Sequence, residues 1–90
     1  MVRNYHIQVL GIVQGVWFRK YTCEAAQEFN LSGFVENRSD GSVYLEAEGD
    51  EVNLEAFLEW LQEGSPLSKV EKVNWKEGSI KNYTKFSINR

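Results

Sequence analysis

The apolar residues of this chain change period in a fixed order, and that order admits few folds. Residues 4–10 alternate, with Tyr5, Ile7 and Val9 on one face and His6, Gln8 and Leu10 on the other, as in a half-buried strand. From about Phe18 to Leu31 the spacing becomes helical through Thr22, Ala25, Ala26 and Phe29, and Gly33 falls where a helix stop is expected. Alternation returns over 33–38 and 42–48, on either side of Ser39-Asp40-Gly41, and an Asp-Gly pair between such runs is a strong hairpin signal. Val35 and Asn37 then share one face, opposite Val43, Leu45 and Ala47. A second helical stripe runs through Leu54, Phe57, Leu58 and Leu61, opened by Asp50 as N-cap and closed by Gly64 and Pro66. Residues 70–76 and 83–89 read as two closing strands around a polar turn at 78–82.

The element order is βαββαβ with one extra C-terminal strand. Right-handed crossovers and the short hairpin predict an α+β, ferredoxin-like sandwich, an antiparallel sheet with both helices on one face. Ninety residues make one domain over 1–90, large enough to bury about 60–65% of the unfolded surface without staples. Cys23 is the only cysteine, which excludes an internal disulfide and C-x-x-C chemistry. The N-terminal residues carry no signal pattern and no apolar run approaches a membrane span, so a cytoplasmic protein with no membrane partner is expected.

Charge is unevenly placed. All 13 acidic residues lie between Glu24 and Glu77 with four bases, while residues 1–23 and 78–90 hold six bases and no acid, within a net charge of −3. Most of such a surface repels a nucleic acid, whereas an acid-free region attracts a small anion.

The segment Gly11-Ile-Val-Gln-Gly15-Val-Trp-Phe-Arg19 leads from the first strand into the first helix. A glycine-bearing turn at a helix start exposes consecutive backbone N–H groups at the positive end of the helix dipole, which is an anion site. Arg19 falls in the first helical turn, where a cation costs about 0.3–1 kcal/mol. It therefore points to a second purpose, and its planar donor fork matches a phosphate or carboxylate. Neither the Walker A pattern nor the dinucleotide fingerprint is present. Cys23 follows Arg19 instead of opening the loop, which fits a packed helix residue better than a phosphatase nucleophile. His6 fits a structural or surface role on the open sheet face. With one His and one Cys in the chain, no metal site is expected.

The same nine residues resemble the G-x-V-Q-G-V-x-F-R signature of the acylphosphatase family. Gly33-Phe-Val-Glu-Asn37-Arg-Ser-Asp40-Gly41-Ser-Val43, closed by Gly49, is similar to the family's second motif, G-[WFY]-V-x-N-x-x-D-G-x-V-x(5)-G. Ile12 departs from the family habit of a basic residue between glycine and valine, and Phe34 replaces a commoner tryptophan.

The resemblance implies hydrolysis of small-molecule acyl phosphates to carboxylate and inorganic phosphate, by a monomer without metal or cofactor. It implies that the N–H groups of Gln14, Gly15, Val16, Trp17, Phe18 and Arg19 cradle the phosphoryl oxygens, and that Arg19 binds two of them. Asn37, at the strand end before the hairpin turn, is then the residue that holds the attacking water; from its position alone, capping of the turn is an equal reading. Two other functions fit the fold. An RNA-binding module would stack bases on the open sheet face, but Tyr44, Glu46, Glu48, Glu36 and Gln8 make that face too acidic, so no nucleic acid partner is expected. A non-catalytic anion sensor would use the same cradle, and only turnover separates the two.

Overall fold

The computed structural model describes residues 1–90. The alternating N-terminal segment forms β1, Val2–Ile12, and the first helical stripe forms α1, Phe18–Glu28. The hairpin strands are β2, Ser32–Asn37, and β3, Val43–Asp50. Helix α2, Glu51–Glu63, is capped as its letters predict, with the Asp50 carboxylate accepting the Val52 N–H at 3.0 Å. The chain closes with β4, Lys69–Gly78, and β5, Phe86–Asn89. Tyr5, Ile7, Val9, Val35, Val43, Leu45 and Ala47 from the sheet meet Ala25, Ala26, Leu54, Phe57, Leu58 and Leu61 from the helices in one core. The two halves of the ferredoxin-like pattern thus bury one sheet face under both helices.

Three expectations are corrected. The sheet is mixed: its order is β4-β1-β3-β2-β5, with β5 parallel to β2 and every other pair antiparallel. Segment 79–85 leaves the end of β4 and crosses to the far edge, so β5 must run opposite to β4 and therefore with β2. Helix α1 ends at Glu28, short of the expected Leu31, and its stop is Asn30 instead of Gly33. Asn30 takes the left-handed conformation at φ 57°, its N–H bonds the Gln27 carbonyl, and the Leu31 N–H bonds the Ala26 carbonyl at 2.9 Å. This is a Schellman closure with asparagine in the usual glycine place, and Gly33 is a residue of β2.

The third correction concerns the open face. Glu46 and Glu48 are only 6% and 4% exposed, because segment 79–85 lies over them. Glu48 accepts the Lys81 N–H at 2.7 Å, the Tyr83 N–H at 3.1 Å and the Asn4 side-chain amide at 3.0 Å. Glu46 accepts the Lys81 ammonium and the Tyr83 hydroxyl, each at 2.8 Å. Sequence periodicity could place these acids on the face but could not see the strap that satisfies them.

Burial pushes the Glu48 carboxyl up, yet the hydrogen bonds from Lys81, Asn4 and Tyr83 outweigh it and hold its pKa below the usual carboxylate range. A depressed folded-state pKa contributes stability that is complete above the unfolded value, near 4.3, and is lost as pH falls below it. The melting temperature is thus expected to hold steady from neutral pH to about pH 5 and to drop below that. Glu48→Gln, which still offers one carbonyl acceptor, should lose about 1–3 kcal/mol at pH 7 and flatten the acid limb in urea melts.

Candidate functional site

Residues 13–17 join β1 to α1, and the glycine near the end of β1 and the one within this segment differ in purpose. At Gly11 the β1–β4 register shifts, and a Cβ there would collide with the Lys69 carbonyl oxygen, so this glycine lets β4 close on β1. Gly15 has open space around it, and its requirement is the left-handed φ of 73°. Trp17 repeats that conformation at φ 63° and serves as the N-cap of α1 without any side-chain cap. The first helical bond runs from the Tyr21 N–H to the Trp17 carbonyl at 3.1 Å, and no protein acceptor receives the N–H groups of residues 14–20. Turns of alternating hand present such donors as a concave nest. The first turn also holds no acid, so the dipole's positive end stays uncompensated.

Apolar anchors hold this backbone in place. Val13 and Phe18 are 2% and 1% exposed, the Phe18 ring lies 6.4 Å from Trp60, and Val16 packs partly buried against the core. Arg19 is steadied from β5, where its Nη1 donates to the Asn89 carbonyl at 3.1 Å. That single bond orients the fork and leaves its other donors available.

Arg19 and Asn37 line one cavity of about 300 Å³ together with Val13, Gly15, Trp17 and Phe18. Asn37 is exposed, beyond the edge of the core that Val35 enters, and its side chain makes no hydrogen bond within the chain. The turn is capped by another residue: Asp40 accepts the Ser42 N–H at 2.9 Å and the Ser42 hydroxyl at 2.6 Å. Those bonds, with the hydroxyl's the larger, keep the Asp40 carboxyl below its ordinary pKa.

Gln14 and Val16 do not line the cavity with their side chains. The Gln14 amide donates to the Arg38 and Ser42 carbonyls, both at 2.8 Å, and so ties the anion loop to the turn that follows Asn37. Sequence spacing cannot reveal such a tie, because the acceptors are backbone atoms 24 and 28 residues away.

The other candidates fall elsewhere. The Cys23 thiol donates to the Phe86 carbonyl at 3.7 Å, and burial pushes its pKa up, the reverse of an activated nucleophile. His6 Nδ1 lies 2.7 Å from the Tyr44 hydroxyl on the opposite sheet face. A larger recess of about 500 Å³ opens there among His6, Gln8, Tyr44, Asn74 and Lys76, but it contains neither Arg19 nor Asn37. The acid-free segments supply less charge to the cradle than their letters suggest. Arg3 pairs with Glu51 and Glu77 at 2.7 and 2.8 Å, and Lys81 pairs with Glu46. Arg19 keeps its neighbour Lys20 in the same helical turn, and Arg90 shares a second recess with it. No group of three or more His, Cys, Asp or Glu side chains is arranged to hold a metal ion.

With that geometry in hand, similarity to known proteins is specific. The family model described as Acylphosphatase matches residues 5–88. An acylphosphatase of Archaeoglobus fulgidus is 43% identical over 82 residues, covering 91% of this chain and 92% of that protein. The crystal structure of acylphosphatase from Bacillus subtilis superposes with a TM-score of 0.95 at 42% identity, covering all of both chains. The structure of an acylphosphatase from Coxiella burnetii superposes equally well, at 0.95 and 39% identity, over 98% of this chain and 93% of that one.

Proposed function

Since the chain belongs to the acylphosphatase family and is an acylphosphatase hydrolase, we propose that the cavity at the start of α1 carries the reaction, with Arg19 holding the phosphoryl group and Asn37 holding the water. The observation that supports this reading is the meeting, in one cavity, of an uncapped helix start, a bidentate cation and an amide side chain with no structural task.

The N–H groups of residues 14–19 and the Arg19 fork receive the phosphoryl oxygens of a small-molecule acyl phosphate. Because the donors are fixed before substrate arrives, they stabilise charge in the transition state without reorganising. Asn37 orients water by its carbonyl and amide for attack on phosphorus, opposite the carboxylate oxygen. The P–O bond to the acyl group breaks, the carboxylate leaves with the bonding pair, and the water's proton passes to a phosphate oxygen. A carboxylate is a good leaving group, so no general base is required. Gln14 maintains the spacing between the two halves of the site through the Arg38 and Ser42 carbonyls.

The test is hydrolysis of benzoyl phosphate by the purified protein with excess chelator present. Turnover is expected to be unchanged by the chelator, and added Mg²⁺ should raise it by less than about twofold, since Arg19 and the amides take the place a divalent ion would have. Loss of turnover on chelation, restored by a divalent ion, would overturn this electrostatic account. Phosphate inhibition without any turnover would favour an anion sensor.

A further inference from the structure

The chain has three tryptophans, and two of them find partners within the fold. Trp60 stacks on Phe57 at 6.2 Å with 7° between planes, and Trp75 stacks on Tyr5 at 4.4 Å. Trp17 has no aromatic partner and is 68% exposed; the Lys20 ammonium comes within 5.9 Å of its ring. Its backbone is left-handed at φ 63°, a conformation that glycine and asparagine adopt with less strain than a bulky side chain. A tryptophan there gains little from packing and opposes the backbone preference. Folding alone does not account for it.

The cavity does. Trp17 lines the same space as Arg19 and Asn37, and its other apolar walls, Val13 and Phe18, are almost wholly buried. The exposed apolar surface of the site is therefore the Trp17 ring. With the phosphoryl oxygens held by the amides and the Arg19 fork and the Asn37 water in line on one side of phosphorus, the acyl group lies on the opposite side, and the exposed apolar surface the cavity offers it is the Trp17 ring. Flat apolar groups gain from lying against an indole face or edge, beyond the area they bury.

We propose that Trp17 determines specificity for the acyl group, favouring acyl phosphates with a flat, aromatic acyl group over those with a short aliphatic one. The inference rests on the acyl phosphate reading of the site, and the two can fail separately. The experiment measures kcat/KM for benzoyl phosphate and acetyl phosphate in the wild type, Trp17→Asn and Trp17→Phe, with melting temperature as a check on folding. Asparagine accepts the left-handed backbone but offers no ring, and phenylalanine restores a ring. The benzoyl-to-acetyl ratio is expected to fall about tenfold or more in Trp17→Asn, within the range one apolar contact discriminates, and to recover most of its value in Trp17→Phe. Because both substrates share the phosphate cradle, any disturbance of the loop itself lowers both and leaves the ratio in place. A ratio unchanged in Trp17→Asn while the wild type turns over both compounds would overturn the role of Trp17 and leave the acyl phosphate reading standing. Failure of the wild type to hydrolyse either compound would overturn both.

Discussion

Arg19→Ala is expected to lower kcat/KM for benzoyl phosphate by at least about 10³-fold and to weaken competitive inhibition by inorganic phosphate sharply. An arginine aimed at a transferring phosphoryl group is worth about 10³–10⁵ in rate. Arg19 is the guanidinium that lines the cavity, and a backbone carbonyl on β5 orients it at 3.1 Å. Folding should be little affected, because the exposed bond to the Asn89 carbonyl that is lost is offset by relieving a cation from the first turn of α1, where the dipole disfavours it. Arg19→Lys should fail nearly as badly: an ammonium keeps the charge and three donors, but on a single nitrogen, so it cannot present a planar fork to the phosphoryl oxygens while also reaching the Asn89 carbonyl. Wild-type phosphate inhibition in a folded Arg19→Ala protein would remove Arg19 from the site.

Asn37→Ala should separate the two halves of the machinery. If Asn37 orients water while Arg19 holds phosphate, kcat falls by at least about 10²-fold, the scale of losing one preorganised polar group, and phosphate inhibition stays near the wild-type value. Stability is expected to hold as well. The turn is capped by Asp40 through Ser42, and no hydrogen bond of the Asn37 side chain is lost. A turn-capping role gives the opposite pattern, with stability down by about 1 kcal/mol and kcat per folded molecule intact. Asn37→Asp should be no better than alanine, since a carboxylate beside the anionic substrate repels it and competes for Arg19. Measuring kcat, phosphate inhibition and melting temperature on one preparation decides between the roles.

Much of this was legible in the letters because it is local. The Asp50 cap, the stripe from Leu54 to Leu61 and the Asp-Gly hairpin depend on contacts a few residues apart, and each appears where its pattern predicts. The loop from Gly11 to Arg19 was legible for the same reason: glycine position, helix start and a misplaced cation are all properties of adjacent residues. The hidden features depend on long-range pairing. The parallel docking of β5 on β2 is decided by where segment 79–85 crosses the sheet, and that crossing in turn buries Glu46 and Glu48, which alternation alone assigns to solvent. Arg19 leans on Asn89, 70 residues away, and Gln14 reaches carbonyls whose side chains are irrelevant to the contact. Asn30 stands between these classes. It ends α1 by a local motif, but glycine is the commoner residue there, so Gly33 draws the eye first.

Hydrolysis of benzoyl phosphate in water enriched in ¹⁸O, followed by mass analysis of both products, tests most directly whether this cavity delivers water to phosphorus. Attack by an Asn37-held water on a phosphoryl group held by Arg19 places one ¹⁸O atom in inorganic phosphate and none in benzoate. Appearance of the label in benzoate would mean that water attacks the carbonyl carbon, and the placement of Arg19 and Asn37 around phosphorus would be wrong.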